Sequence, residues 1–136
     1  LDTNILSELS KPVPDPQVTR LVSSLDTAWL SIITLHEVEY GIQLLPHGKR
    51  RTQLTAMIEG VLDTYADHVI PVNQAVAHQA ANLKAKMQQA GKVMHLADAL
   101  IAGTAIAHDL TLVTRNTKDF VELPVDLHNP FMQHPN

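Results

Sequence analysis

The chain has 136 residues, of which 45% are hydrophobic and none is cysteine, and its formal net charge is −4. This length fits one domain with a real core, and the composition excludes disulfides, thiolate zinc sites, an apolar membrane span and a signal peptide, so we expect a soluble cytoplasmic protein. The negative charge argues against a protein coated in basic residues for nucleic-acid binding, but it does not exclude a nuclease whose metal site gathers acids.

The first half of the chain alternates helix and strand signals. Asp15-Pro16 is predicted to cap and open a helix after a rigid link over 12–14, with apolar residues at helical spacing at Val18, Leu21, Val22 and Leu25. Residues 29–33 predict a buried strand, and Thr34 is predicted to open the next helix, which ends over 45–48. The chain starts at Leu1 rather than Met, so an opening strand could extend before this numbering.

The second half continues the alternation. A helix is predicted over 49–62, a strand over 68–72, and a helix from the N-cap Asn73 to Gly91. A further helix over 97–108 precedes strands at 110–114 and 125–127. This order predicts one α/β domain, residues 1–130, with a mostly parallel sheet covered on both faces, followed by a C-terminal tail at 131–136.

Acids recur where predicted strands give way to helices. Asp2 stands at the first such junction, Glu37 follows the 29–33 strand, and Asp98 lies early in the 97–108 helix. Open α/β sheets bind ligands at the carboxyl ends of their strands, so acids from distant parts of the chain can converge there. Converging carboxylates predict a magnesium or manganese site, because Mg²⁺ prefers oxygen ligands.

Each acid also has a purely structural explanation. Asp2 could cap the helix that follows it, and Thr34-Leu35-His36-Glu37 fits a capping box. Asp98 shares a helical stripe with Ile101, Ala102 and Ala105, where an acid needs a partner, although it could instead cap its helix or benefit from the helix dipole. The small residues at 97–107 predict close packing of this helix on the sheet.

Two other groups of residues carry weaker signals. The eight histidines show no close metal-ligand spacing; His36 and His95 lie near the acids, and a nuclease with a histidine general acid is the weaker enzymatic alternative. Basic residues could form local positive patches, although solvated helix faces explain each of them more simply. They are Lys49-Arg50-Arg51, Lys84, Lys86, Lys92, Arg115 and Lys118.

Four motifs in order resemble those of PIN domains, most closely VapC-type toxins and the related FitB-like plasmid-stability proteins. The motifs are Leu1-Asp2-Thr3-Asn4, Thr34-x-x-Glu37, 97–102 (ADALIA) and Val113-Thr114-Arg115-Asn116. The resemblance implies a PIN-like three-layer α/β/α sandwich and a Mg²⁺-dependent endoribonuclease, with Mn²⁺ as an alternative ion.

The family's catalytic and metal-binding acids fall on Asp2, Glu37 and Asp98. At the fourth acidic position the sequence departs from the family, because Asn116 stands there and Asp119 follows three residues later. This leaves open whether one or two ions bind. The resemblance also gives Thr114, Thr3 and Asn4 modest supporting roles beside the acids.

The resemblance further implies partners. It implies an RNA substrate, a VapB-like antitoxin, a homodimer formed through the helices of 34–62, and operator DNA bound only through the antitoxin. The alternative is a PIN-like binding module with weak catalysis that acts with a DNA-binding antitoxin in operon autoregulation, and Asn116 is the residue that favours it.

Overall fold

The structure, a computed structural model, describes residues 1–9, 11, 13–24 and 28–131, except for the side chain of Thr3. Pro12, Leu25 and residues 132–136, for which we made predictions, lie outside this part. The α-helices of the described chain are α1 Thr3–Leu9, α2 Pro16–Ser24, α3 Ile32–Gln43, α4 Lys49–Thr64, α5 Gln74–Gln89, α6 Leu96–Ala107 and α7 Thr117–Phe120, and a 3₁₀ turn covers Ala66–His68. The strands are β1 Leu30–Ser31, β2 Val69–Ile70, β3 Leu112–Val113 and β4 Leu127–His128. None of the described helices is long and apolar enough to cross a membrane.

The strands form two parallel pairs joined by the start of the chain. β1 pairs with β2, and β3 pairs with β4. The backbone nitrogen of Leu1 donates to the Trp29 carbonyl at 2.9 Å, and that of Asp2 donates to the Val113 carbonyl at 2.9 Å. Leu1 and Asp2 therefore lie between the two pairs, which places Asp2 beside the end of β3.

Helices cover both faces of β3. Leu112 packs into a cluster built largely from α5 and α6, whereas the next residue, Val113, packs against Ile5 of α1 and Val18 of α2. Successive side chains of a strand point to opposite faces, so this alternation puts helices on both sides of β3. The predicted α/β/α sandwich with parallel strands is confirmed.

Three side chains set where helices begin. Asp15 Oδ1 accepts from the Gln17 nitrogen at 2.8 Å, and Asn73 Oδ1 accepts from the Val76 nitrogen at 3.0 Å, as the sequence predicted for both N-caps. Ser31 Oγ accepts from the Ile33 nitrogen at 3.1 Å and starts α3. The prediction that Thr34 opens this helix was wrong, because Ser31 supplies the cap three residues earlier.

The strand predicted over 29–33 is much shorter than expected. Only Leu30–Ser31 pairs with β2, since the Ser31 cap turns Ile32 into the first residue of α3. Trp29, expected to be buried, is 37% exposed and lies against His68, with ring centroids 4.5 Å apart. The 68–72 strand shrinks to β2 because His68 belongs to the 3₁₀ turn.

The C-terminal strands also differ from their predictions. The Leu110 nitrogen donates to the Ala105 carbonyl at 2.8 Å, so the residue expected to begin the 110–114 strand instead completes the end of α6. The Val125 nitrogen donates to the Leu123 carbonyl at 2.8 Å, which forms a tight turn and moves the last strand from 125–127 to Leu127–His128. Helix α7 was not predicted, because four residues are too few for a periodic pattern.

The small residues of α6 allow close packing, but the tightest contact is with a helix. A Cβ added at Gly103 would lie 3.0 Å from the Ala80 nitrogen and 3.0 Å from the Val76 carbonyl oxygen, both backbone atoms of α5. The sequence predicted close packing of α6 on the sheet, but it did not predict this close approach to α5. Gly103 is thus the residue that lets α5 and α6 touch through their backbones.

Candidate active site

An acidic cleft of about 370 Å³ lies beside the end of β3. Among the residues that the structure describes, four carboxylates line it, those of Asp2, Glu8, Glu37 and Asp98. The other described lining residues are Asn4, Ser7, Lys11, Arg115 and Asn116. The three acids that the sequence placed in one site therefore come together, from the chain start, α3 and α6.

Asp2 is held in place by the residue that follows β3. Its side chain is buried, with the residue 5% exposed, and its Oδ2 accepts a hydrogen bond from Thr114 Oγ1 at 2.7 Å. The backbone nitrogen of Asp2 also donates to the Val113 carbonyl, so both the main chain and the side chain of Asp2 are bonded to the end of β3 and the residue after it. Asp2 precedes α1, and this anchoring explains how a residue at a strand-to-helix junction keeps one orientation.

Thr114 is the centre of a small hydrogen-bond network. Its hydroxyl donates to Asp2 and accepts from Asn4 Nδ2 at 3.2 Å and from the Asn116 nitrogen at 3.1 Å. Asn4 Oδ1 in turn accepts from the Arg115 nitrogen at 3.0 Å. One proton and two lone pairs are all that a threonine hydroxyl offers, so each is used. The supporting roles of Thr114 and Asn4 stay predictions, and the Thr3 side chain lies outside the described residues.

Replacing Thr114 with Val should weaken both the site and the fold. Valine keeps the volume but removes the hydroxyl from a fully buried position, and the lost bond to a charged group costs about 1.5–3 kcal/mol of unfolding free energy. Loss of a group that orients an acid lowers activity by about 10–100-fold. Thermal melts and cleavage rates measure the two effects. Thr114→Ser keeps the hydroxyl, and equal activity loss in both variants would contradict this role.

Glu37 lies in the second turn of α3, not at its start. Because Ser31 caps the helix and no acid occupies the first turn, the capping box proposed for Thr34 and Glu37 is not formed. Thr34 is instead fully buried, and its hydroxyl donates to the Leu1 carbonyl at 3.4 Å. The competing structural explanation for Glu37 is therefore removed, and its side chain lines the cleft.

Asp98 lies in the first turn of α6 and lines two adjoining clefts. Burial raises the pKa of its carboxyl, and the negative charges of Asp2, Asp119 and Glu37 raise it further, against a smaller lowering by His95. The metal-free site thus disfavours the charged form of Asp98, since like charges repel one another at short range. A cation in the cleft would attract the carboxylate and so favour the charged form of Asp98.

Asn116 and Asp119 occupy different positions around the site. Asn116 lines the acidic cleft with Asp2 and Glu37, and its side chain makes no capping bond to α7. Asp119 lines the second cleft, of about 440 Å³, together with Asp98 and His95. Asn116 therefore brings an uncharged amide to the acidic cleft, whereas the carboxylate of Asp119 lies in the adjoining cleft on the side of Asp98 and His95.

Four of the described cleft residues were not among the predicted site residues, namely Ser7, Glu8, Lys11 and Arg115. Glu8 is 8% exposed, and Lys11 Nζ lies 2.9 Å from its Oε2. Asn4, Ser7 and Glu8 are spaced by three and four residues, so they share one face of α1, and this periodicity could have placed Glu8 beside Asn4. Arg115 had been noted as one of several cations and as a member of the Val113-Thr114-Arg115-Asn116 motif, but it was given no role in the site.

His36 and His95 have different surroundings. His36 is exposed and stacks on Tyr40, with ring centroids 6.2 Å apart, and it does not line the acidic cleft. His95 precedes α6 and lines the second cleft. Neither is placed in the acidic cleft, so the histidine general-acid alternative gains no support from this geometry.

The donor atoms of the cleft suit a hard cation. Carboxylate and amide oxygens are what Mg²⁺ prefers, and this ion usually keeps several waters while binding only one or two carboxylates directly. Within residues 1–9, 11, 13–24 and 28–131, no three histidine, aspartate or glutamate side chains form a ready-made metal-binding group. The carboxylate and amide oxygens that line the cleft fit a hydrated Mg²⁺ ion in their chemistry.

The chain is similar to known proteins in sequence and in fold. The profile of the family described as "PIN domain" matches residues 1–125. The VapC ribonuclease Y4jK of Sinorhizobium fredii is 39% identical over 134 residues, which cover 96% of each chain. Toxin FitB of Neisseria gonorrhoeae is 35% identical over 134 residues, again with 96% of each chain covered. The structure of FitAB bound to an IR36 DNA fragment superposes with a TM-score of 0.89 and 33% identity, over 98% of this chain and 96% of the other.

Proposed function

Because this chain belongs to the PIN-domain family, we propose that it is a VapC-like endoribonuclease toxin that hydrolyses RNA phosphodiester bonds and is neutralised by a cognate antitoxin. The observation that carries the proposal is the convergence of Asp2, Glu37 and Asp98 on one cleft from three separate parts of the chain. Relatives named as a VapC ribonuclease and a FitB toxin, aligned over nearly the whole chain, support the same activity.

The proposed cofactor is Mg²⁺, with Mn²⁺ as the alternative. Asp2 and Asp98 would be its main ligands, and Glu37 would complete the ligand set or orient the attacking water. A bound divalent ion polarises the phosphodiester and lowers the pKa of a bound water. Asn116 could contribute its carbonyl oxygen but no charge, so the donor set is compatible with one firmly held ion, and a second ion would depend on Asp119.

The chain's own residues prepare the cleft for this chemistry. Thr114 holds Asp2 Oδ2, so the first acid need not be ordered when substrate binds. Asp98 projects from the first turn of α6, and α3 brings Glu37 to the same cleft. Side chains already held near their working positions lose little freedom on reaching the transition state, which is how fixed geometry contributes to rate.

Divalent metal should stabilise the protein against heat. Burial, followed by the charges of neighbouring acids, raises the pKa of Asp98, and a bound cation would favour its charged form. At a hundred times its dissociation constant, a ligand specific for the folded state adds about 2.7 kcal/mol of stability. Thermal melts with Mg²⁺, Mn²⁺ or EDTA measure this gain, and equal melting temperatures at saturating metal would count against the site.

The direct test of the function is cleavage of a structured RNA pool by purified protein free of antitoxin. We expect cleavage in Mg²⁺ or Mn²⁺ and none in EDTA. Sequencing the fragment ends would give the cleavage sites. Folded protein that leaves every RNA intact under all metal conditions would reject the enzyme.

We also propose the protein's partners. A VapB-like antitoxin would block the cleft and carry the complex to operator DNA, in line with the DNA-bound FitAB structure. A homodimer would form through the helices of 34–62, where α3 exposes Tyr40 at 60% and α4 follows directly. Light scattering of the purified protein measures this, and a monomer at micromolar concentration would refute the dimer.

The binding module remains the second candidate because of Asn116. Asp2, Glu37 and Asp98 line the cleft, whereas Asn116 brings an uncharged amide to the position where the resemblance implies a fourth acid. Tight antitoxin and operator binding without RNA cleavage by the folded toxin would favour the module. Cleavage that requires both metal and Asp98 would favour the enzyme.

A further inference from the structure

Arg115 is a cation in an acidic cleft that does not pair with the acids around it. Its residue lines the cleft with Asp2, Glu37 and Asp98. Among the residues that the structure describes, ion pairs join Lys11 to Glu8 and Lys92 to Glu122, but none involves Arg115. The guanidinium carbon instead lies 4.6 Å from the centroid of the Phe131 ring.

The two cations among the described cleft residues therefore differ in whether their charge is already paired within the protein. Lys11 is neutralised by the buried carboxylate of Glu8, so its charge is already satisfied within the protein. Stacking on an aromatic face leaves the in-plane N–H donors of a guanidinium open, and those donors match the oxygens of a phosphate. Arg115 is exposed and lines the cleft, so its donors are open to a ligand there.

Asn129 and Phe131, near the end of the described chain, hold Arg115 in place. Asn129 Nδ2 donates to the Arg115 carbonyl at 3.3 Å, and Asn129 Oδ1 accepts from the Phe131 nitrogen at 2.9 Å. Phe131 is itself packed against the cluster of Ile5, Val18 and Val113. The ring under the guanidinium is thus anchored to the same core that supports α1 and β3.

Resting on the proposed nuclease function, we propose that Arg115, supported by Phe131, binds a backbone phosphate of the RNA as it crosses the acidic cleft. A cation at this place offsets the repulsion between clustered carboxylates and a polyanion. It binds phosphate without base preference, because phosphate contacts position a nucleic acid and do not read its sequence. Phe131 acts through Arg115 and is a positioning residue.

Arg115→Ala is a clean test because the bond that ties Arg115 to the site is made by its backbone. The Arg115 nitrogen donates to Asn4 Oδ1, and this bond survives truncation of the side chain. We expect KM to rise about tenfold with kcat little changed, as for loss of one charge-assisted phosphate contact. We also expect a change in the binding of a labelled random-sequence RNA oligonucleotide in EDTA. The slope of log affinity against log salt should become less steep by about 0.7.

Further variants separate positioning from folding. Phe131→Leu keeps an apolar side chain in the core cluster but removes the ring, so KM should rise less than in Arg115→Ala, and Arg115→Lys should restore part of the salt slope. Arg20→Ala, which removes an exposed arginine of α2 outside the cleft lining, should change neither KM nor the slope. Melting temperatures near that of the wild type show that each variant is folded.

The outcomes distinguish this proposal from the function on which it rests. Wild-type cleavage combined with an unchanged KM and salt slope in Arg115→Ala would overturn the phosphate contact while leaving the nuclease intact. If the wild type does not cleave, the EDTA binding assay still decides, since an unchanged slope or no RNA binding overturns the proposal. If Arg115→Ala loses binding to a polyglutamate peptide but keeps its binding to RNA, then Arg115 binds an acidic protein and the proposal is wrong.

Discussion

Asp98→Asn is expected to abolish metal-dependent RNA cleavage while leaving a folded protein that melts higher than the wild type without metal. The amide keeps the size of the side chain but cannot bind a divalent cation as a charged ligand. Metal polarisation supplies several kcal/mol to the transition state, and about 1.4 kcal/mol corresponds to tenfold in rate, so we expect a loss of about a hundredfold or more.

The stability gain follows from the direction of the Asp98 pKa shift. The pKa of Asp98 in the folded, metal-free protein lies above its ordinary value because of burial and neighbouring acids. The penalty on stability is therefore fully present above the folded pKa, and it disappears as the pH falls through that pKa towards the ordinary value. Asp98→Asn removes the penalty, so its melting advantage should be largest near neutral pH and should shrink on acidification.

Melts and cleavage assays of the same preparations test this pair of effects. Asp63→Asn, at an exposed residue of α4 outside both clefts, is the matched control and should change neither activity nor the metal response. A folded Asp98→Asn protein that still cleaves at the wild-type rate would remove Asp98 from the catalytic set. A lower melting temperature at neutral pH would contradict the electrostatic argument.

Gly103→Ala should destabilise the protein, because its new methyl group would crowd α5. The new Cβ would lie 3.0 Å from two backbone atoms of α5, which cannot move aside as the end of a flexible side chain can. Overpacking of this kind costs about 1–3 kcal/mol of unfolding free energy. Chemical denaturation measures the loss directly. Because α6 carries Asp98, a forced shift of this helix should also lower cleavage.

Gly60→Ala is the control for the helix propensity of alanine. Gly60 lies inside α4, and a Cβ there meets nothing within 4 Å. The change should stabilise the protein by about 0.5–1 kcal/mol, since glycine is the poorer helix residue. If both substitutions stabilised the protein equally, the close approach of α5 and α6 at Gly103 would be refuted.

Sequence patterns predicted the order of elements well where local chemistry decides them. Asp15 and Asn73 are caps whose side chains bond to backbone nitrogens a few residues away, so their effect is visible in the sequence. The prediction that Thr34 opens α3 was wrong because Ser31 caps this helix. Which residue caps it depends on where β1 stops pairing with β2. That limit is set by tertiary contacts, which no local pattern contains.

The sequence pointed to three of the cleft's acids, but not to Glu8 and not to its cations. Asp2, Glu37 and Asp98 were named because each was expected near a strand-to-helix junction, and the resemblance to PIN domains pointed to the same residues. Arg115 was not singled out because its neighbour Phe131 is close to it only in the folded chain. A surface arginine and an arginine held on an aromatic ring look identical in a sequence.

The alternating side chains of β3 limit where the chain can change length during evolution. Leu112 and Val113 face different helical layers, and Thr114 follows them with its hydroxyl on Asp2. Inserting or deleting one residue between α6 and β3 would exchange the two faces and carry Thr114 away from the acid, since a slip of one residue inverts a strand. The linker at 108–111 should therefore keep its length among functional variants, while the exposed turn at 46–48 should accept insertions.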